Sequence, residues 1–330
     1  IINFEMRVII GFFLRFFLLL NSKYKVKLLN KIIRIFNNHD KNFFFSYNYR
    51  KKFFKLSRNK VKNKITIIIQ GPVVRRNNFT LNSINLYLKN CNSNIILSTW
   101  ENELSNSEIK DLRKIGVVVL INKLPKIKGP SNLNCQILST LNAIKIAKLK
   151  RNKFIIKTRT DFRIYLENFD IKILKLFNDY KKKNKFLKIG STNFTLKNRL
   201  FSLSEILMFG ETNNLNNYFS KLYTDREYSD FNFFLKKQKK ESFFLRESYN
   251  CFPENFLCYK YLKLKINKKI KYNSENYIGA LKKYFIIIDN SILDIFWYKY
   301  NHQYEYREKD FSLKQKNYPL RFLDWINLNK

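Results

Sequence analysis

A short stretch in the middle of the chain carries residues suited to phosphate chemistry. The sequence FIIKTRTDFRIY, residues 154–165, passes from apolar residues to Arg159, Asp161 and Arg163. A carboxylate at the end of a buried strand can hold a divalent cation that neutralises a pyrophosphate leaving group, and arginines can do part of that work directly. A strand-end aspartate can equally cap the next turn. The residues alone leave both interpretations of Asp161 open.

Asp161 follows the fourth of a series of predicted strands. Runs rich in β-branched residues, such as KITIIIQ and SNIILSTW, alternate with segments whose apolar residues have helical spacing. This alternation over residues 64–161 predicts an α/β fold with a right-handed, mostly parallel, doubly wound sheet. Ligands bind beyond the carboxyl ends of the strands in such sheets. The residues at those ends are Gln70-Gly71-Pro72, Ser98-Thr99-Trp100-Glu101 and Arg159-Thr160-Asp161.

Composition limits the classes of function. The 330 residues include 64 Lys and Arg against 25 acids, a formal charge of +39, which by itself suggests a polyanionic partner. The lysines are spread along the whole chain, so a diffuse charge is favoured over a dedicated nucleic-acid surface. Four cysteines without a CxxC pair and only two histidines argue against structural zinc and histidine catalysis. Acid–base chemistry then falls to Asp or Glu, in a reduced, cytoplasmic setting.

Residues 1–63 form a basic, aromatic-rich segment. Its apolar run, residues 8–20, is interrupted by Arg15 and is shorter than the roughly 20 apolar residues that span a bilayer. No small-residue cleavage site follows, so we expect neither a membrane-spanning helix nor a cleaved signal peptide. Two interpretations remain for amphipathic helices in this segment. They lie peripherally on an anionic membrane surface, or they pack on the following domain.

Five segments resemble, in order and spacing, segments of the WavE lipopolysaccharide-synthesis family of GT-A-type glycosyltransferases. They are ITIIIQGPVV, FTLNSINLY, IILSTWE, NLNCQILSTLNAIKIAK and FIIKTRTDFRI. The resemblance is looser through LFSLSEILMFG and CFPENFLCYKYL. It implies a Rossmann-like GT-A fold with a single catalytic domain over residues 64–330. Within that domain, residues 64–165 would bind a nucleotide sugar and residues 166–330 the acceptor.

The resemblance also implies a donor site. Gln70, Gly71 and Pro72 would form the turn over which the nucleotide lies, with Gly71 allowing close backbone approach. Glu101 would accept hydrogen bonds from the base or ribose. Arg159, Asp161 and Arg163 would face the diphosphate. Three residues at the start of a helix would orient the diphosphate through their amides and the helix N-terminus, with N-capping as the alternative role: Asn132, Asn134 and Gln136.

Two departures from the family pattern concern charge. Cys135 stands where an arginine is expected between Asn134 and Gln136. The Asp-x-Asp signature of metal-dependent GT-A enzymes is here Arg159-Thr160-Asp161, which keeps a single acid. A divalent cation, Mn²⁺ or Mg²⁺, at Asp161 is therefore an open expectation.

Two glutamates are candidates for the base that takes a proton from the acceptor hydroxyl in an inverting reaction. Glu254, in PENFL, resembles the family's Pro-Glu position and is the first choice. Glu205, in LSEILMFG, is the second. Without the resemblance, each would pass for an ordinary helix-capping or strand-end acid.

Together these observations predict a glycosyltransferase of the cell envelope. It would transfer a sugar from a nucleotide-diphosphate donor to a glycan or glycolipid acceptor in lipopolysaccharide or capsule biosynthesis. The place of action would be the inner face of the cytoplasmic membrane.

A nucleotidyl- or phospho-transferase of capsule biosynthesis would use the same sheet and the same strand-end acid. A non-catalytic nucleic-acid-binding protein would explain the charge of +39 directly.

Overall fold

The computed structural model describes residues 64–238, 248–298, 302–303 and 319–328. They belong to one of the two compact units of the chain, residues 57–330. The N-terminal segment, residues 1–63, lies outside the described residues, so its contact with a membrane stays a prediction. The same holds for the division of residues 64–330 into a donor half and an acceptor half. No helix in the described part of the chain is long and apolar enough to cross a bilayer.

The strands lie in two sheets. They are β1 (Ile65–Gln70), β2 (Asn94–Trp100), β3 (Val118–Asn122), β4 (Phe154–Arg159), β5 (Phe162–Ile164), β6 (Ile189–Thr192), β7 (Met208–Glu211), β8 (Phe285–Ile288), β9 (Ile295–Trp297) and β10 (His302–Gln303). The larger sheet has seven strands in the order β3-β2-β1-β4-β7-β6-β8. Only β7 runs antiparallel to its neighbours in this sheet. The predicted α/β fold with a mostly parallel central sheet is therefore confirmed.

The strand order reverses at β1, which has β2 on one side and β4 on the other. All six residues of β1 are buried, as expected of a central strand covered on both faces. The register places Gln70 beside Arg159 at the carboxyl ends of β1 and β4. This is the switch point at which open α/β sheets bind ligands.

The smaller sheet has three strands in the order β10-β9-β5. β5 follows β4 after only Thr160 and Asp161, and it pairs antiparallel with β9, with Phe162 opposite Trp297. The Tyr298 amide donates a hydrogen bond of 2.8 Å to the carbonyl of Asp161. This pairing brings a late segment of the chain against the end of β4.

Helices pack against the strands of the central sheet. They are α1 (Phe79–Asn90), α2 (Asn106–Lys114), α3 (Leu133–Leu149), α4 (Phe169–Lys183), α5 (Thr212–Tyr218), α6 (Asp225–Lys236), α7 (Pro253–Tyr261), α8 (Ser274–Tyr284), α9 (Asn290–Leu293) and α10 (Phe322–Leu328). α2 and α6 begin with capping boxes, Ser105 with Glu108 and Thr224 with Glu227. α7 begins with Pro253, whose missing N–H costs nothing in the first turn.

Candidate active site

A cleft of about 550 Å³ lies at the carboxyl ends of β1 and β4. Its wall includes the turn after β1, the start of α3, the end of β4 and the start of α7, so segments far apart in sequence meet there. A second, shallow depression of about 720 Å³ lies along α4, beside Ile171, Leu174 and Lys175. One helix forms that depression. The cleft is the candidate site because it lies at the switch point and gathers charged side chains.

The turn after β1 depends on Gly71. This residue has φ +126°, and a Cβ added to it would come within 2.8 Å of Thr160 Oγ1. The Gly71 amide donates to the Ser98 carbonyl at 3.1 Å, and the Thr160 amide donates to the Gln70 carbonyl at 3.0 Å. Gln70 Oε1 accepts from Ser139 Oγ at 2.9 Å. The Gln70 side chain is thus held in the protein, and a glycine lets the ends of the two strands approach closely.

Four charged side chains of alternating sign form a chain of ion pairs along one edge of the cleft. Lys157 Nζ pairs with Glu205 Oε2, and Glu205 Oε1 accepts from Arg159 Nη1 at 3.1 Å. Arg159 Nε and Nη2 donate to the two oxygens of Asp161 at 2.8 and 3.0 Å. Trp297 Nε1 donates to Asp161 Oδ2 at 3.2 Å. We call Lys157, Glu205, Arg159 and Asp161 the charge chain.

The charge chain holds Glu205 in its ionised form. Burial opposes the charge of this carboxylate, but Lys157 and Arg159 outweigh burial and lower its pKa to about 2. Burial lowers the pKa of Lys157, and Glu205 offsets part of that effect. Burial would also lower the pKa of Arg159, yet Glu205 and Asp161 raise it above its ordinary value. A carboxylate held in this way is a poor acceptor of a substrate proton.

The residues around Asp161 do not fit the divalent cation considered from the sequence. Both carboxylate oxygens already accept hydrogen bonds from Arg159. Among the described residues, no three His, Cys, Asp or Glu side chains lie where they could together hold a metal ion. Mn²⁺ and Mg²⁺ require several oxygen ligands. The cation that Asp161 holds is a guanidinium.

Glu254 lies in the first turn of α7 and lines the same cleft. Burial raises the pKa of this carboxyl, and the negative charge of Glu205 raises it further, against the opposing effect of Arg199 and Arg159. Within the described part of the chain, no cation forms a direct ion pair with it. Its environment is therefore opposite to that of Glu205.

The three polar residues predicted at the start of α3 have different environments. Asn132 is exposed, has φ 59°, makes no side-chain capping bond and lines the cleft. Asn134 is buried; its Nδ2 donates to the carbonyls of Ile127 and Tyr223 at 3.0 and 2.6 Å, and its Oδ1 accepts from the Tyr223 amide at 2.9 Å. Gln136 lines the cleft, and its buried Oε1 has no hydrogen-bond partner in the described part of the protein. Gln136 is thus suited to a ligand, whereas Asn134 is used within the fold.

Two residues expected at the donor site lie outside the cleft wall. Glu101 is exposed beyond the end of β2, although Trp100 before it is buried and lines the cleft. Arg163 Nε donates to Ser83 Oγ, and its Nη2 donates to the Phe79 carbonyl, each at 2.8 Å. Its guanidinium also lies 4.1 Å from the centre of the Phe79 ring. Arg163 therefore fastens β5 to α1, and its expected contact with a diphosphate is not supported.

Other cleft residues were not predicted from the sequence. Arg199 lines the cleft with its guanidinium 3.5 Å from the centre of the Phe252 ring. Lys128 lines the cleft and lowers the pKa of Cys135, against the larger effect of burial. Lys128 thus places a positive charge near the position where the family pattern has an arginine. Neither residue is at the end of a strand, the position at which the sequence predicts ligand-binding residues.

Fold and site define an α/β protein with a mostly parallel central sheet and a charged cleft at its switch point. The profile of the WavE lipopolysaccharide synthesis family matches residues 65–330. The chain belongs to this family, as its segments indicated.

The structure has a partial likeness to two solved structures. A cytidylyltransferase from Leptospira borgpetersenii serovar Hardjo-bovis (strain JB197) is 20% identical, with 50% of this chain and 67% of that chain covered, at a TM-score of 0.32. A protein provisionally described as a nucleotide-diphospho-sugar transferase, from Desulfovibrio desulfuricans G20, is 9% identical, with 48% and 69% covered, at a TM-score of 0.30. Likenesses this low establish nothing about the chemistry of this chain. No curated protein matches it significantly.

Proposed function

We propose that this protein is a glycosyltransferase that moves a sugar from a nucleotide-diphosphate donor to a glycan or glycolipid acceptor in lipopolysaccharide or capsule synthesis. Membership of the WavE lipopolysaccharide synthesis family supports a role in lipopolysaccharide synthesis. The observation that carries the proposal is that one cleft contains both a fixed guanidinium, that of Arg159, and a separate, partly buried carboxyl, that of Glu254. A leaving diphosphate needs a cation, and an attacking hydroxyl needs a base.

Each residue then has a defined part in an inverting transfer. The acceptor oxygen attacks the anomeric carbon from the face opposite the diphosphate, and the bond from that carbon to the diphosphate oxygen breaks. The electron pair leaves with the nucleoside diphosphate, whose charge Arg159 stabilises. Glu254 takes the hydroxyl proton, since its raised pKa makes it a better base than an ordinary glutamate. The backbone at Gly71 and the amide of Gln136 would contact the donor.

The remaining parts of the proposal concern place and partners. Residues 64–165 would bind the donor and residues 166–330 the acceptor. A lipid-linked acceptor would place the protein at the inner face of the cytoplasmic membrane. Residues 1–63, with their Lys, Arg and Phe, have a composition suited to that surface.

Substitution of Glu254 by glutamine tests the assignment of the base. We expect Glu254→Gln to lower kcat by about 10²–10⁴-fold with little change in KM, because the amide keeps the size of the side chain but cannot take a proton. The measurement is release of nucleoside diphosphate from nucleotide-sugar donors. Glu275→Gln is the matched control, since Glu275 is the exposed second residue of α8 as Glu254 is the second residue of α7.

Two results would contradict this assignment. Full activity of Glu254→Gln would remove Glu254 from the reaction. Release of pyrophosphate or of a nucleoside monophosphate, in place of a nucleoside diphosphate, would instead indicate the nucleotidyl- or phospho-transferase.

A further inference from the structure

We infer that the donor diphosphate is bound without a divalent cation, with the Arg159 guanidinium in the place of the metal. This inference rests on the proposed function and specifies how its donor site works. It concerns the same carboxylate, Asp161, that a metal-dependent site would use as a ligand.

The first observation is the engagement of Asp161. Arg159 reaches both of its oxygens, at 2.8 and 3.0 Å, and Trp297 Nε1 reaches Oδ2 at 3.2 Å. A cation bound to Asp161 would have to displace the guanidinium and would then lie beside its positive charge. Glu205 offers no alternative ligand for a metal ion, because its two oxygens already pair with Lys157 and Arg159.

The second observation is that Arg159 has donors left for a ligand. A guanidinium carries five N–H groups. In the described part of the protein, Arg159 uses one each on Nε, Nη1 and Nη2, which leaves two. Its side chain keeps 22% of its exposure and lines the cleft. Two N–H groups on one planar fork suit a pair of phosphate oxygens.

The third observation is that the guanidinium is fixed from two sides. Asp161 holds one edge of it and Glu205 holds the other. The fully buried side chain of Lys157 pairs with Glu205 and neutralises its charge. Glu205 can therefore position Arg159 while repelling a bound phosphate only weakly. A cation held in place before the reaction needs no reorganisation as negative charge develops on the leaving group.

Binding measured with and without metal tests the inference. The full-length protein would be titrated calorimetrically with inorganic pyrophosphate, UDP, GDP, CDP and ADP, in EDTA and separately in Mn²⁺. We expect at least one of these anions to bind in EDTA with an affinity that Mn²⁺ leaves unchanged within about twofold. Binding that occurs only with Mn²⁺ would overturn the inference and leave the proposed donor site standing. No binding in either buffer would overturn both.

Two substitutions separate an arginine site from a metal site. Arg159→Lys keeps the charge but loses the planar fork, so we expect binding in EDTA to weaken by about tenfold or more. Arg113→Lys, on the exposed surface of α2, is the matched control and should bind as the unmodified protein does. If a metal ion held by Asp161 bound the diphosphate, Asp161→Asn would abolish binding. In the arginine site Asp161 positions the guanidinium and does not itself bind the ligand, so binding in EDTA should weaken without being lost.

Thermal unfolding of each variant distinguishes loss of a ligand contact from loss of the fold. Arg159→Lys and Asp161→Asn should both unfold cooperatively. A folded Asp161→Asn protein that binds none of the anions in EDTA would overturn the inference, and so would a folded Arg159→Lys protein with unchanged binding.

Discussion

Glu205 and Glu254 line one cleft but have opposite electrostatic environments. Two cations lower the pKa of Glu205 to about 2, whereas burial and a neighbouring anion raise the pKa of Glu254. Pairs of carboxyls whose pKa values are pushed apart commonly divide the roles of fixed charge and proton carrier. This contrast selects Glu254 over Glu205 as the base in the proposed reaction. Glu205 becomes a positioning residue for Arg159.

Removing the charge of Glu205 should cost stability. Glu205→Gln leaves the ammonium of Lys157 buried without its counter-ion, so we expect a loss of roughly 3–5 kcal/mol in the free energy of unfolding, measured by urea denaturation. Glu211→Gln is the matched control, because the Lys181–Glu211 pair is partly exposed and should cost less than about 1 kcal/mol.

The Lys157–Glu205 pair also predicts that the free energy of unfolding depends on pH. The folded-state pKa of Glu205 lies below its ordinary value of 4.5, so its contribution to stability is complete above that pH and is lost as the pH falls toward about 2. Unfolding free energy should therefore fall less steeply over this range in Glu205→Gln. Equal slopes would mean that Glu205 does not hold its charge in the folded protein.

At the scale of elements, the junction of β1 and β4 determines the shape of the cleft. Two strand ends meet through Gly71 and Thr160, and the charge chain extends from the second of them. Because neighbouring parallel strands end at the same edge, a substitution in one turn acts on residues of the other strand.

Gly71→Ala should therefore disturb both stability and binding. The positive φ and the contact of 2.8 Å with Thr160 Oγ1 disfavour a Cβ, and we expect a loss of about 1–3 kcal/mol in unfolding free energy together with weaker pyrophosphate binding. Gly279→Ala is the control. Gly279 lies inside α8 with no atom within 4 Å of an added Cβ, so alanine there should raise stability by roughly 0.5–1 kcal/mol. Equal effects at both sites would contradict this explanation.

The parts of the fold that are local in sequence could be predicted, and the parts that depend on distant pairing could not. Strands β1 to β4 carry apolar runs that alternate with helical segments, and this alternation predicted a ligand site at the carboxyl ends of the strands. β5 and β9 have three residues each and pair across more than a hundred residues, so no local pattern indicated them. The structural role of Arg163 depends on that pairing and was missed for the same reason.

The candidate site shows the same limit. Asp161 and Arg159 are neighbours in sequence, and their proximity was expected. Glu205 was singled out as an acid, but its cations could not be assigned without knowing that β7, which begins three residues later, pairs with β4. One signal was available: Lys157 and Arg159 alternate along β4, so their side chains share a face of the strand.

At the scale of the whole molecule, the charge of +39 does not describe the cleft. Its charged lining residues are three cations and three acids: Lys128, Arg159, Arg199, Asp161, Glu205 and Glu254. A groove that follows a nucleic-acid backbone is lined mainly by cations. The mixed lining fits a small ligand with a localised charge better than a polynucleotide.

The excess positive charge elsewhere in the chain should cause the protein to bind anionic membranes. We expect the full-length protein to sediment with vesicles that contain phosphatidylglycerol but not with pure phosphatidylcholine, and to be released by added salt, since each surface Lys or Arg contributes about 1 kcal/mol at an anionic surface. Vesicle co-sedimentation measures this. Equal binding to both kinds of vesicle, or tighter binding to duplex DNA than to anionic vesicles, would contradict the proposed location.

The charge chain also restricts how this protein can evolve. A mutation that neutralises Lys157, Glu205, Arg159 or Asp161 leaves an uncompensated charge in a poorly hydrated site, so each step taken alone is penalised. Lineages that lose one partner should therefore lose the other as well, and the four positions are expected to covary. A relative with an acid at position 159 would lack the guanidinium that neutralises Asp161 and Glu205, so we expect it to keep Lys157 and to bind its diphosphate through a divalent cation.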